Sequence, residues 1–144
     1  MEKQQAKEKI KELIARYEKL SDAEIRKYNE QQTKDHFIRP LFEALGWSFL
    51  DDVWSETDVH GKRVDYAFSI GGITKFFVEA KSLKIDLDIE AHAKQAINYS
   101  WNKGVSWAVL TDFESLKVFN AQAHSKLLID KFVFEISYKD YISD

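Results

Sequence analysis

Two alternating stretches joined by a pair of glycines constrain the fold of this chain more than any other part of its sequence. Val64–Ile70 and Thr74–Lys81 each place apolar side chains at every second position, the spacing of a strand with one buried face. Gly71-Gly72 between them favours a tight turn. Ile89–Ser100 then has helical spacing, and Trp107–Thr111 is strand-like again. A helix that links two strands predicts a parallel crossover, so we expect an α/β protein of the α+β kind, with helices packed on a mixed sheet.

The other periodic segments predict helices before this hairpin and short strands on both sides of it. Helical spacing runs from Glu2 to Leu20 and, after the capping box Ser21–Glu24, continues through Leu45 to a stop at Gly46. Pro40 lies inside the second helical segment and removes a backbone donor, so we expect a kink or a break near His36–Arg39. Further strands are predicted at Trp47–Leu50, Val53–Glu56, Leu116–Asn120 and Phe132–Ile136.

Composition limits the size of the core and the kinds of ligand available. The 144 residues, 44% of them apolar, are enough for a single domain, 1–144, with one core. The absence of cysteine excludes disulfides and cysteine metal sites, which favours hard cations bound by carboxylates. No long apolar run is present, so we expect a cytoplasmic protein without a membrane span. The net charge of −3 argues weakly against binding DNA phosphates, although bound metal ions or another domain would offset it.

The pairing of the two hairpin strands decides which polar side chains share a face. A two-residue turn at Gly71-Gly72 would put Asp65 opposite Val78 and mix apolar with polar positions. A three-residue loop with a glycine bulge shifts the register by one and places Asp65 opposite or diagonal to Glu79. Core burial therefore predicts an odd loop or a bulge, with Asp65, Glu79 and Lys81 on one face. The apolar positions then share the opposite face: Val64, Tyr66, Phe68, Ile70, Phe76, Val78 and Ala80.

Two carboxylates in that arrangement would form a binding site for a divalent metal ion. Asp65 and Glu79 would repel each other unless a cation lay between them, and oxygen ligands suit Mg²⁺, with Mn²⁺ expected to substitute. Such an ion polarises a phosphodiester and activates water, while Lys81 would orient that water or offset charge in the transition state. A solvated hairpin face with an ordinary cross-strand salt bridge is the alternative interpretation of the bare pattern.

The motif and its surroundings resemble the PD-(D/E)xK nuclease superfamily. The resemblance rests on Val64-Asp65 and Glu79-Ala80-Lys81 on adjacent strands, with Val64 where the superfamily's name expects proline. Residues Glu30–Trp47 are similar to the helix that opens the nuclease domain of type I restriction subunits and of type IIG enzymes, which join a nuclease to a methyltransferase. The resemblance spans roughly Glu30 to Asn120. It implies a restriction-endonuclease-like core at 29–144, with a central mixed sheet flanked by helices, after an N-terminal helical extension at 1–28.

The same resemblance implies roles for individual residues. The metal ligands would be Asp65, Glu79 and the carbonyl of Ala80, and Lys81 would be the catalytic lysine. Glu30 would be an accessory acid, although an exposed helix residue is an equal alternative. The superfamily often carries Gln-x-x-x-Tyr on the helix after its lysine, and Gln95 and Tyr99 stand in that place, on one helical face within reach of the lysine or of a DNA phosphate.

The function implied is a Mg²⁺-dependent DNA endonuclease, the cleavage module of a restriction-modification enzyme of type I or type IIG. The chain has no glycine-rich loop for S-adenosylmethionine, so its expected partners, besides DNA, are methyltransferase, specificity or translocase domains or subunits. Cutting both strands needs two such sites, which leaves a transient dimer on DNA open. The alternative function is a catalytically silent nuclease-like module that binds nucleic acid or protein.

Overall fold

A computed structural model describes residues 2–59, 62–83, 85–88, 90–123 and 128–142. The helices are α1 (Lys3–Glu18), α2 (Asp22–Lys27), α3 (Glu30–Thr33), α4 (Arg39–Ala44), α5 (Glu90–Asn102) and α6 (Leu128–Lys131), with a π-helical turn at Lys34–Ile38 and a 3₁₀ turn at Tyr138–Asp140. The strands are β1 (Val53–Val59), β2 (Lys62–Ile70), β3 (Ile73–Ala80), β4 (Trp107–Thr111), β5 (Ser115–Asn120) and β6 (Phe132–Ser137). None of the helices in these residues is long and apolar enough to cross a membrane.

The strands form one mixed sheet in their chain order, from β1 to β6. β3 and β4 are parallel and every other neighbouring pair is antiparallel. α5 makes the crossover between the parallel strands, because a parallel pair needs a connection long enough to return along the sheet. The predicted α+β architecture is confirmed, and it is compatible with a restriction-endonuclease-like core.

The β2–β3 hairpin combines a tight turn with a bulge. Ile70 pairs with Ile73 across Gly71-Gly72, whose φ angles of 59° and 80° lie in the left-handed region that favours glycine. The register then shifts between Phe68 and Ser69, so that Phe68 pairs with Phe76. The predicted bulge is confirmed, whereas the three-residue loop is wrong, because the extra residue lies in β3 and not in the turn.

The bulge brings the aromatic residues of both strands onto one face of the sheet. Phe68 and Phe76 stack with ring centroids 4.6 Å apart, and Phe68, Tyr66 and Val78 are buried in the main core. Helix α1 belongs to this core through Tyr17, whose ring packs edge-on against Phe113 at 5.6 Å. The shared face of Tyr66, Phe68 and Val78 requires this register, since a one-residue slip of β3 would move Phe76 and Val78 to the opposite face of the sheet.

The opposite face of the sheet is covered as well. Ala96 and Ile97 of α5 pack with Leu110 of β4 in a second cluster. Val64, predicted to face the main core with Tyr66, instead belongs to a third cluster that holds the buried Tyr99 of α5. Ile70, assigned to the same apolar face, is exposed at the hairpin tip. The hairpin therefore lies between two layers, and its polar face is not open to solvent along its whole length.

The segment before Gly46 is divided more finely than its spacing predicts. The capping box of Ser21 and Glu24 is present. However, helix α2 ends at Tyr28, and a new helix, α3, begins after Asn29, which caps it. The expected distortion near Pro40 takes the form of the π-helical turn at Lys34–Ile38, directly before that proline.

One predicted strand is wrong. Trp47–Leu50 does not pair in the sheet, because Ser48 starts a turn in which its hydroxyl accepts a hydrogen bond from the backbone N–H of Asp51 at 3.2 Å. Trp47 and Phe49 instead make T-shaped ring contacts with Phe68. Their alternating pattern therefore reflects contact with the core and not strand pairing.

Candidate functional site

Three carboxylates from three separate elements meet at the end of the β2–β3 hairpin. Asp65 comes from β2, Glu79 from β3 and Glu30 from the first turn of α3. One oxygen of each lies within 4.8 Å of the others. The register of the hairpin explains the first two positions, since the pairing of Tyr66 with Val78 puts Asp65 and Glu79 next in line on the polar face.

Asp65 is held by two donors, one on each oxygen. The backbone N–H of Ala80 donates to Oδ2 at 2.7 Å, and the ammonium of Lys34 donates to Oδ1 at 3.0 Å. Charged hydrogen bonds of this length are stronger than neutral ones and fix the orientation of the carboxylate. The predicted ligand carbonyl of Ala80 thus belongs to a residue whose amide already anchors Asp65.

Glu79 is the most perturbed group of the cluster. The residue is only 4% exposed, and its Oε2 is buried without a hydrogen-bond partner. Its Oε1 lies 3.6 Å from Nζ of Lys81. Burial, followed by the charge of Asp65, raises the pKa of Glu79 to about 8, and Lys81 opposes that rise. A buried carboxyl oxygen without a hydrogen-bond partner is costly, and a positively charged ligand would relieve that cost.

Lys81 follows β3 directly, and hydrogen bonds hold both its backbone amide and its side-chain ammonium. Its backbone N–H donates to the carbonyl of Thr111 at 2.9 Å, which extends the parallel pairing with β4 by one residue. Its ammonium donates to Oε1 of Gln95 on α5 at 3.3 Å. The contact between the lysine and the predicted glutamine is therefore present.

Tyr99 does not accompany Gln95 to the site. Its ring is buried with Ala67 and Phe77, one turn further along α5. His92 is a neighbour of Lys81 that no sequence pattern singles out. Burial, followed by the charge of Lys81, lowers the pKa of His92.

Glu30 reaches the hairpin because α3 is anchored beside it. Thr33 of the same helix is fully buried, and its hydroxyl oxygen accepts a hydrogen bond from the N–H of Leu83 at 3.3 Å. This contact ties α3 to the loop that follows Lys81. Desolvation, followed by the charge of Asp65, raises the pKa of Glu30. The accessory position implied for Glu30 thus lies within the carboxylate cluster.

Lys34 is a member of the cluster that sequence reasoning missed. It lies in the π-helical turn, its side chain is 7% exposed, and it bonds Asp65 across 31 residues of chain. One signal was available, since Lys34 follows Glu30 by four residues and would share its helical face. A lysine on a helix dense in polar residues is usually solvated, so that spacing alone did not single it out.

The donor set fits a hard divalent cation. Glu30, Asp65 and Glu79 offer only oxygen, the ligand type that Mg²⁺ and Mn²⁺ prefer. The unpartnered Oε2 of Glu79 belongs to the same group and would gain a partner from such an ion. Lys81, on the other side of Glu79, stays available as a separate positive charge.

Comparison with curated proteins finds a distant relative, the "Type II restriction enzyme and methyltransferase RM.Eco57I" of Escherichia coli, which is 26% identical over 137 residues. The match covers 83% of this chain and 14% of the relative's length. No family model matches the chain, and no solved structure matches it. The likeness is thus to a small part of a restriction enzyme that also carries a methyltransferase.

The raised pKa of Glu79 predicts how pH changes the stability of the metal-free protein. Between its ordinary pKa of 4.5 and about 8 the folded chain holds a proton that the unfolded chain has lost, so stability falls as pH rises through this window. Burial raises the pKa of Asp112 to about 7, so Asp112 also lowers the stability of the folded chain as pH rises. We expect Glu79→Gln to remove the part of this loss of stability that Glu79 causes and to leave the part that Asp112 causes. Urea unfolding in EDTA at pH 5 and pH 8.5 measures this difference, and equal losses in both proteins would contradict it.

Proposed function

We propose that this chain is a Mg²⁺-dependent DNA endonuclease module that hydrolyses phosphodiester bonds. The observation that carries the proposal is the cluster of Glu30, Asp65 and Glu79, in which Oε2 of Glu79 is buried without a partner beside a lysine. Bringing three carboxylates together in a partly buried cluster costs stability through desolvation and charge repulsion. That cost is better explained by the binding of a cation than by a role in stabilising the fold. A cation with oxygen ligands and an adjacent lysine are the parts that phosphodiester hydrolysis uses.

The residues divide the work as follows. Asp65, Glu79 and the carbonyl of Ala80 would hold Mg²⁺, or Mn²⁺ in its place, with Glu30 as the accessory acid. When bound, the ion supplies Lewis-acid polarisation of the phosphate and a water of lowered pKa. The N–H of Ala80 keeps Asp65 oriented, so the ligand geometry is set before any ion arrives.

Lys81 and Gln95 act on the other side of Glu79. The Lys81 ammonium would orient the attacking water or offset the charge that develops on the phosphate in the transition state. Oε1 of Gln95 accepts a hydrogen bond from the Lys81 ammonium and thereby limits where the ammonium can point. Gln95 is in this scheme a positioning residue for Lys81.

The biological setting proposed is restriction and modification. Support comes from the relative in Escherichia coli, whose name combines a restriction enzyme with a methyltransferase. Since the chain spans 14% of that relative, we assign sequence recognition and methylation to other domains or subunits, whether methyltransferase, specificity or translocase. DNA is the proposed substrate, and those units would also supply much of the DNA affinity that a net charge of −3 disfavours.

A plasmid-cleavage assay tests the proposal. Supercoiled plasmid is incubated with the chain, and with any longer natural polypeptide that contains it, in Mg²⁺, in Mn²⁺ and in EDTA. We expect nicked or linear DNA with either metal and none in EDTA. Activity confined to the longer polypeptide would identify a dependent module, and DNA binding without cleavage by both forms would favour the catalytically silent alternative.

A further inference from the structure

Lys34 is more deeply buried than Asp65, the carboxylate with which it pairs. Its side chain is 7% exposed and that of Asp65 is 12% exposed, with 3.0 Å between Nζ and Oδ1. A lysine ammonium is rarely withdrawn from water unless it is paired with a charge of opposite sign. The contact is also long-range, because it joins the π-helical turn to β2. Because both side chains are largely buried, the solubility of the surface does not explain this ion pair.

Orientation of Asp65 does not by itself require Lys34. The N–H of Ala80 already fixes Oδ2 at 2.7 Å from within the rigid sheet. Lys34 therefore adds chiefly a positive charge, placed where three carboxylates converge. Lys81, the other lysine bonded in this group, is directed at Glu79 and Gln95.

We propose that Lys34 is an internal counter-ion of Asp65, which keeps the carboxylate cluster assembled without a metal ion and weakens its affinity for divalent cations. This inference rests on the proposed metal-dependent function and deepens it. A cation that enters the cluster meets a positive charge hydrogen-bonded to one of its own ligands, and like charges a few ångströms apart in a partly buried site repel strongly. Lys34 thus acts through the charge of Asp65 and not by contact with the substrate or the ion.

The consequence is a site that fills together with its substrate. Mg²⁺ is commonly bound through one or two carboxylates plus the phosphates of a substrate. With Lys34 in place, the protein alone binds the ion poorly, and a DNA phosphate supplies the missing negative charge. The metal site of the module would therefore be occupied only when DNA is bound.

Calorimetric titration of Mn²⁺ into the DNA-free chain tests the effect on affinity. Because Ala80 still holds Asp65, we expect Lys34→Met to bind Mn²⁺ about tenfold more tightly than the unaltered chain. Lys117→Met is the matched control, since Lys117 is also a largely buried lysine, 11% exposed, but pairs with Asp88 away from the cluster. Its Mn²⁺ affinity is expected to stay within about twofold of the unaltered chain. Unchanged or weaker binding by Lys34→Met would overturn the inference, since a purely structural lysine gives that result.

Thermal unfolding in EDTA tests the counter-ion without any metal. Lys34→Met should lower the unfolding midpoint by roughly 10 °C, because it leaves Asp65 charged and uncompensated. Adding Asp65→Asn to that variant should recover at least about half of the loss. If Lys34→Met fails to fold and the double variant folds, the same conclusion holds. Absence of any recovery in the double variant would overturn the inference.

The outcomes separate this inference from the proposed function. If the unaltered chain cleaves plasmid but Lys34→Met shows no gain in Mn²⁺ affinity, the counter-ion role of Lys34 is refuted and the nuclease proposal is not. Tighter Mn²⁺ binding by Lys34→Met, with no cleavage of DNA by the chain or by the longer polypeptide, supports the counter-ion and refutes the nuclease.

Discussion

Replacing Glu79 by glutamine is expected to abolish metal-dependent DNA cleavage while leaving the protein folded. The variant keeps the shape of the side chain but removes the charge on the buried, unpartnered oxygen that the proposed cation would use. Loss of a metal ligand removes several kcal/mol of transition-state stabilisation, which corresponds to a rate decrease of about 10³-fold or more. The measurement is the rate of plasmid nicking in Mg²⁺ at saturating protein.

The matched control for that experiment is Glu43→Gln. Glu43 is an exposed glutamate of α4 that pairs with Arg39, and its loss should leave the nicking rate within about twofold of the unaltered chain. Circular dichroism of both variants checks the fold. Nicking by Glu79→Gln at the rate of the unaltered chain would exclude Glu79 as a ligand.

Replacing Lys81 by methionine is expected to lower the cleavage rate by about 10²- to 10³-fold, the usual effect of removing one group that stabilises transition-state charge. Unlike the glutamate variant, it should retain Mn²⁺ binding, because it removes a positive charge and no ligand. Single-turnover nicking and Mn²⁺ titration on the same preparation separate the two effects.

Lys11→Met, on the exposed face of α1, is the control for this substitution and should cleave at an unchanged rate. A Lys81→Met protein that binds no Mn²⁺ would mean that the lysine organises the carboxylates. An undiminished cleavage rate would remove Lys81 from the mechanism.

The hairpin was predictable because its register is set by local physics. Alternation fixes which residues share a face, and burial of Phe68, Phe76 and Val78 together excludes the register of a simple two-residue turn. Asp65 and Glu79 then had to be neighbours, whatever the rest of the chain did. The crossover helix followed from period changes alone, since the spacing switches from two to helical and back between Thr74 and Thr111.

Contacts between distant segments were not predictable in this way. Whether Glu30 reaches Asp65 depends on how α3 docks against the loop after Lys81, and Thr33 makes that contact through a single hydrogen bond. The resemblance to nucleases supplied the position of Glu30, but no periodicity did. Lys34 was missed for the same reason, because the π-helical turn that places it depends on the chain around Pro40.

Alternation also misled where the chain packs without pairing. Trp47 and Phe49 have the spacing of a strand, but they contact the core from a turn. Val64 has the parity of Tyr66, but it is buried with Ala67 and Tyr99 on the α5 side. In both cases tertiary packing overrode a short local pattern.

The most direct test of the central claim is the nicking of one supercoiled plasmid in Mg²⁺ by the unaltered chain and by Asp65→Asn, each within the polypeptide form found to be active. Asparagine still accepts the hydrogen bond from the N–H of Ala80, so the variant keeps one anchor of the side chain while it removes the charge that pairs with Lys34 and would bind the ion. We predict Mg²⁺-dependent nicking by the unaltered chain and a decrease of about 10³-fold or more for Asp65→Asn. Equal nicking by both proteins, or nicking that persists in EDTA, would contradict a metal centre built on Asp65 and Glu79.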